Sequence, residues 1–234
     1  MSTNRSENAT KKKCTMTSEQ LSFLQSKAAN YIWWKTPEEA IEFPLLVLGQ
    51  VMDLCNWGDL IDLEKTFSKE ELLSFLEDAE AGQLRPRSWN FWHIRLGFEY
   101  EDIPLYPVRF ESDITPQRAD TPLATEERVL TVASLDLMAT KLKVILQRSY
   151  VKDYQDIAAM IKADVSLEKG LATARQIFGQ TFAPVESLRA LNYFEDGDLV
   201  KLKKEERKII CDATRKVSSE GLSEHQEENC GPKG

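Results

Sequence analysis

Apolar residues recur at helical spacing along most of the chain. In the first half, Leu21, Leu24, Ala28 and Ile32 mark one side of a helix, because residues three or four apart share a face of an α-helix. The same spacing returns between residues 134 and 146. The pattern therefore predicts a mainly α protein.

Start signals divide the first half into several helices. In the run Thr36-Pro37-Glu38-Glu39, the threonine can cap a helix and the proline fits its first turn. The two glutamates interact favourably with the positive end of the helix dipole. Pro44 is predicted to stop that helix and begin the next. Ser68-Lys69-Glu70-Glu71 is a capping box for a helix that we expect Gly82 to end. Together with a further helix from Pro86, these signals predict a helical module over residues 18–97.

A proline-rich segment follows the first module. Residues 98–133 contain Pro104, Pro107, Pro116 and Pro122 and few helical repeats, so we interpret them as a linker and domain boundary. At most a small β element is expected there, at residues 108–110 and 129–132. Helical signals then return and predict a second module over residues 134–215.

The two ends differ from the middle in composition. Residues 1–17 and 216–234 contain almost no large apolar side chains, so both tails are predicted to be disordered. The start, with its Lys11–Lys13 run, has no apolar stretch after it and does not resemble a secretory signal. No run of about 20 apolar residues predicts a membrane helix.

Charge and cysteine content narrow the function classes. The net charge of −8 argues against a general DNA-coating role. None of the four cysteines forms a Cys-x-x-Cys pair, which argues against a zinc site or a disulfide framework. We therefore expect a cytoplasmic protein without a membrane partner.

A cluster of charged residues is predicted across a helical hairpin. Lys141 and Arg148 are two helical turns apart, and Asp153 and Asp156 share a stripe on the next helix. The break at residues 149–151 is short, so the helices are expected to fold back on each other. One interpretation is an ion-pair network that sets the register of the hairpin. The other is a phosphate-facing Lys and Arg held by carboxylates that share a metal or act as a base.

The same residues carry a resemblance to a known family. An Asp-Leu pair at Asp136 precedes Lys141, and Arg148 and the run Lys152-Asp153-x-x-Asp156 follow. This order resembles the third motif of AbiEii/AbiGii-type nucleotidyltransferase toxins. The likeness continues at residues 165–171, 174–179 and 184–199. It covers roughly residues 108–202, which is under half the chain.

The resemblance implies roles for these residues. Lys141, Arg148 and Asp153 would match the catalytic residues that close the active cleft from the helical side, with Asp136, Lys152 and Asp156 supporting them. Members of the family transfer a nucleotide from a metal-bound NTP to an acceptor such as tRNA. An active member would therefore use magnesium and NTP.

The chain departs from the family in its first motif, which is Gly-Ser followed by an Asp-x-Asp on a strand. Leu48-Gly49-Gln50 leads only to Asp53 in a helical pattern, and Asp113 has no glycine-rich turn before it. We therefore expect no metal ligands and no cofactor, and lean against enzyme activity. The alternative is an active nucleotidyltransferase whose metal carboxylates escape recognition, for instance Asp113 with Asp120.

The first half has its own resemblance, which rests on residues 31–40, 47–52, 79–83 and 87–97. These runs are similar to a short helical protein that is often encoded just upstream of such toxins, and by position the first half would be antitoxin-like. Its tryptophans, Trp33, Trp34, Trp89 and Trp92, are predicted to pack in a core or an interface. A second interpretation treats residues 86–97 as a DNA-reading helix. Its polar side would be formed by Arg85, Arg87, Asn90, His93 and Arg95.

These observations lead to three functional hypotheses. The first is an interaction protein of a type IV toxin–antitoxin or abortive-infection (phage-defence) system, inactive alone or a decayed fusion, whose partner is a cognate toxin or antitoxin. The second is an active transferase that binds NTP and tRNA. The third is a DNA-binding regulator, which the acidic charge makes the least favoured.

Overall fold

The computed structural model describes residues 16–107 and 134–218. Within these ranges the secondary structure is helical and contains no strand, which confirms the predicted mainly α class. The predicted strands at residues 108–110 and 129–132 lie outside the described residues, as do Asp113 and Asp120. The α-helices are α1 (Ser18–Tyr31), α2 (Pro37–Ala40), α3 (Pro44–Leu54), α4 (Trp57–Thr66), α5 (Lys69–Glu77), α6 (Pro86–Arg95), α7 (Ser134–Val144), α8 (Val151–Lys162), α9 (Leu167–Phe178), α10 (Pro184–Leu191) and α11 (Lys204–Lys216).

The predicted caps form as hydrogen-bonded structures. The Glu39 and Glu71 backbone N–H groups donate to the Thr36 and Ser68 hydroxyls, each at 3.2 Å, and both capping boxes are complete. Pro44 begins α3 as expected. One boundary was wrong, because α5 ends at Glu77, ahead of Gly82.

The two predicted modules pack against each other through one apolar core. Helix α6 is central to this packing, since it contacts both α10 and α11 and is buried from Ser88 to Ile94. The division into two domains stays a prediction. None of the helices described is long and apolar enough to cross a membrane.

Polar contacts also join the two halves. The Arg189 guanidinium is fully buried and donates to the backbone oxygen of Met52 at 3.0 Å and to Glu186 at 2.6 Å. Arg95 donates to the backbone oxygen of Val217 at 2.6 Å. Since buried donors that lose their acceptors are costly, the bond to Met52 holds α10 against α3 and the bond to Val217 holds the end of the second half against α6.

Candidate functional site

The charged cluster is centred on Asp153, in the first turn of α8. Lys141 Nζ on α7 lies 2.8 Å from Asp153 Oδ1, and Arg148 Nε lies 2.9 Å from Asp153 Oδ2. Lys141 Nζ also lies 2.6 Å from Asp156 Oδ2. The predicted pairing of a Lys and an Arg with two carboxylates is therefore confirmed.

The route by which Arg148 reaches Asp153 differs from the prediction. Helix α7 ends at Val144, so Lys141 and Arg148 do not share a helical stripe. The chain continues in tight turns, in which the Gln147 and Arg148 N–H groups both donate to the Val144 carbonyl. Arg148 thus approaches Asp153 from the connection between α7 and α8.

Asp153 is the buried member of the cluster, with 3% of its side chain exposed, whereas Asp156 is 39% exposed. Burial raises the pKa of the Asp153 carboxyl, but hydrogen bonds from Lys141 and Arg148 outweigh that effect and hold the pKa below its usual value. The Lys141 ammonium has a raised pKa because its bonds to the two aspartates outweigh its own burial. Asp153 and Lys141 are therefore both ionised at neutral pH.

This arrangement does not fit a magnesium ion. Both oxygens of Asp153 accept hydrogen bonds from cations, and the Lys141 ammonium lies between Asp153 and Asp156. A divalent cation at these carboxylates would meet that ammonium and be repelled. The observed geometry is that of an ion-pair network between α7 and α8, while the phosphate-facing role of Lys141 and Arg148 stays a prediction.

The two remaining supporting residues do not join the network. Asp136 is half-buried in the first turn of α7, where its backbone oxygen accepts a hydrogen bond from Thr140. Lys152 is exposed at the start of α8. Among the described residues, neither side chain forms an ion pair with the cluster, and no group of His, Cys, Asp or Glu side chains could hold a metal.

The residues proposed for DNA reading are buried or bound within the chain. Asn90 and His93 are 8% and 3% exposed. His93 Nδ1 lies 2.8 Å from the Trp89 carbonyl, and burial lowers the pKa of its imidazole. A helix that is buried along seven consecutive residues cannot enter a DNA groove without leaving the core.

The three arginines of that set have intramolecular partners. Arg95 binds Glu64 through two bonds, of 2.7 and 3.0 Å. Arg85 donates to Asp53, and Arg87 pairs with Asp196. These contacts anchor both ends of α6, so they account for the basic residues without a nucleic acid.

The four tryptophans singled out in the sequence fall into two pairs. Trp89 and Trp92 are buried, and their indole N–H groups donate to the carbonyls of Pro104 and Met52, as predicted for core residues. Trp33 and Trp34 are 84% and 48% exposed and pack edge to face, with ring centroids 5.7 Å apart. Both exposed tryptophans lie in the connection between α1 and α2, outside any helix, directly before the Thr36-Pro37 start signal of the sequence.

Two further apolar residues are exposed in the same part of the chain. Phe43 and Leu45, at the start of α3, are 53% and 47% exposed. The Lys35 ammonium lies 5.2 Å from the centre of the Phe43 ring, and Lys35 follows Trp34 directly in the chain. We call Trp33, Trp34, Phe43 and Leu45 the aromatic surface; sequence reasoning missed its exposure.

A cleft of about 560 Å³ lies between the α3–α4 junction and the start of α10. Its two charged side chains are engaged within the chain, since Arg175 donates to the Phe182 carbonyl and Glu186 pairs with Arg85 and Arg189. The Trp57 indole N–H, which also lines the cleft, is buried without a hydrogen-bond partner among the described residues.

Comparisons with protein-family models, with curated proteins and with solved structures find no match for this chain. The relationship to AbiEii/AbiGii-type toxins thus stays a hypothesis based on the likeness within residues 108–202.

Proposed function

We propose that this chain is an interaction protein, related to type IV toxin–antitoxin and abortive-infection systems, which binds a cognate toxin or antitoxin and does not itself transfer nucleotides. The aromatic surface is the observation that carries the proposal. It exposes two tryptophans on a protein that buries Trp89 and Trp92 almost completely.

The exposed area is large enough to contribute to association. A tryptophan side chain that loses about 200 Å² of accessible surface gains on the order of 5 kcal/mol before association costs are subtracted. Tryptophan is also enriched among the residues that dominate binding energies. Exposed aromatic residues concentrated between Trp33 and Leu45 therefore favour a protein partner.

The charged cluster supports the second part of the proposal. The cations that the resemblance assigns to the transfer cleft, Lys141 and Arg148, bind carboxylates of the same hairpin. In this arrangement they stabilise the contact between α7 and α8. A role in nucleotide transfer would require these ion pairs to open.

Binding can be tested with the purified products of the genes on either side of this one. Light scattering after gel filtration would detect a complex, and calorimetry would measure its affinity. We expect one of the two proteins to bind, and the Trp33→Ala/Trp34→Ala variant to bind at least roughly tenfold more weakly, a loss of about 1.4 kcal/mol. Val200→Ala is the matched control, because Val200 is an apolar residue that is 60% exposed elsewhere.

The proposal fails if neither neighbour binds or if the double variant binds as well as the unchanged chain. A separate assay with radiolabelled NTP, tRNA and Mg²⁺ tests the transferase alternative. Robust labelling of the tRNA would overturn the second part of the proposal, and we expect none.

A further inference from the structure

We propose that the aromatic surface receives a basic amphipathic segment of a partner protein, one that presents Lys or Arg beside leucine-like side chains. This inference deepens the proposed function, on which it rests, by naming the chemistry of the partner. It follows from the charges that surround the exposed aromatic rings.

The surroundings of the aromatic surface are acidic. Glu38, Glu39 and Glu42 are all exposed between the tryptophans and Phe43. The one cation in the segment from Trp33 to Leu45 is Lys35, which lies over the Phe43 ring. Three carboxylates and one ammonium leave a local charge of −2, which attracts a basic partner.

Two of these carboxylates are available for pairing. Glu39 is engaged in the α2 capping box, where it accepts from the Thr36 N–H at 3.0 Å. Glu38 and Glu42, in contrast, take part in no hydrogen bond or ion pair among the described residues. A Lys or Arg from a partner could therefore reach them without breaking an existing contact.

The aromatic rings favour the same partner chemistry. The faces of tryptophan rings attract ammonium and guanidinium groups, by about 0.5–2 kcal/mol depending on exposure. Trp33 is the most exposed of the tryptophans, so its ring is accessible to such a group. Leu45 and Phe43 would meet the apolar side chains of the same partner segment.

A second copy of this chain fits the surface less well. In a symmetric dimer the same patch meets itself, so Glu38 and Glu42 of one copy would face those of the other. The whole chain also carries a net charge of −8. Like charges opposed across an interface are destabilising, which favours a basic protein over self-association.

The test uses the full chain and two synthetic helical peptides that share leucines at positions i, i+3, i+4 and i+7. One peptide carries Lys and Arg at its polar positions and the other carries Glu. Calorimetry at low and moderate salt measures both affinities. We expect the basic peptide to bind at least roughly tenfold tighter than the acidic one.

Variants separate local recognition from the general attraction of an acidic protein for a basic peptide. Trp33→Ala/Trp34→Ala should weaken binding of the basic peptide at least roughly tenfold, and Glu38→Gln/Glu42→Gln about threefold to tenfold. The control Glu77→Gln/Glu205→Gln removes the same charge at exposed positions elsewhere and should change the affinity less than about twofold.

Several results would overturn the inference. Equal binding of both peptides, or equal effects of the two glutamate pairs, would show that no local basic site exists. A dimer that Trp33→Ala/Trp34→Ala abolishes would identify a second copy as the occupant. Basic-peptide binding that tightens strongly when Lys11, Lys12 and Lys13 are changed to Gln would identify the chain's own basic run as the occupant.

Failure of this inference is distinguishable from failure of the proposed function. If a neighbouring gene product binds through Trp33 and Trp34 while Glu38→Gln/Glu42→Gln has no effect, the interaction role stands and the basic partner is wrong. If neither neighbour binds, the proposed function falls whatever the peptides do.

Discussion

Replacing Asp153 by Asn tests whether the charged cluster holds α7 against α8. The side chain keeps its shape but loses its charge, and both of its oxygens currently accept from cations. Removing one partner of a buried ion pair costs about 3–5 kcal/mol. Here the remaining cations are partly solvated, since Arg148 is 45% exposed and Lys141 keeps its bond to Asp156.

We therefore expect Asp153→Asn to lower the free energy of unfolding by about 2–3 kcal/mol. Asp156→Asn is the matched control, because it removes a carboxylate that is 39% exposed and has one ion pair. Its expected cost is about 0–1 kcal/mol. Urea unfolding followed by far-UV circular dichroism measures both values.

The difference in the free energy of unfolding between Asp153→Asn and the unchanged chain should depend on pH. The Asp153 carboxyl has a lowered pKa in the folded chain, so the folded state binds this proton less readily than the unfolded state. Its contribution is complete above the unfolded pKa of about 3.9 and is lost as pH falls through the folded pKa. The difference should thus shrink below about pH 4.

Two results would refute this reasoning. If Asp153→Asn and Asp156→Asn lower the free energy of unfolding equally within error, the burial of Asp153 does not strengthen its ion pairs. If the cost of Asp153→Asn persists undiminished well below pH 4, it comes from packing and not from charge.

Three further predictions concern the core. Arg189→Met should lower the free energy of unfolding by about 1–3 kcal/mol in urea, because it removes a buried bond to Met52 and a partly buried bond to Glu186; an unchanged midpoint would show that these bonds contribute nothing. Gly170→Ala should cost about 1–2 kcal/mol, since an added Cβ would lie 2.4 Å from Met138 Cγ, and a stabilised variant would contradict the packing. His93 has a lowered pKa in the fold, so its contribution to stability is present above pH about 6.5 and lost below it. Unfolding at pH 7 and 5 should therefore show a smaller acid-induced loss for His93→Gln than for the unchanged chain.

Local signals in the sequence predicted the helices well. The caps at Thr36 and Ser68 and the proline at the start of α3 act within one turn, so neighbouring residues determine them. The pairing of Lys141 with Asp153 was also predictable, because a short connection forces the two helices together. What failed was the end of α7, which comes at Val144 although apolar residues continue to Leu146.

Burial was the property that local patterns described least well. Arg189 is completely buried, whereas arginine is almost never fully buried unless it is paired. Its acceptor at Met52 lies in the other half of the chain, so the local sequence gives no sign of this burial. Trp33 is exposed although tryptophan is usually buried. The burial of Arg189 depends on how the halves pack, which helical periodicity does not encode, whereas Trp33 lies in the connection between α1 and α2.

The packing of α6 joins these observations to the question of function. Because its basic residues bind Asp53, Asp196 and Glu64, the part of the chain that looked most suited to nucleic acid is engaged within the fold. Lys141 and Arg148 are engaged in the same way. The aromatic surface differs from both, because Trp33 and Trp34 expose apolar area and Glu38 and Glu42 have no partner among the described residues. Removing the exposed rings from water would favour binding of another molecule, and the two solvated carboxylates beside them would favour one that is basic.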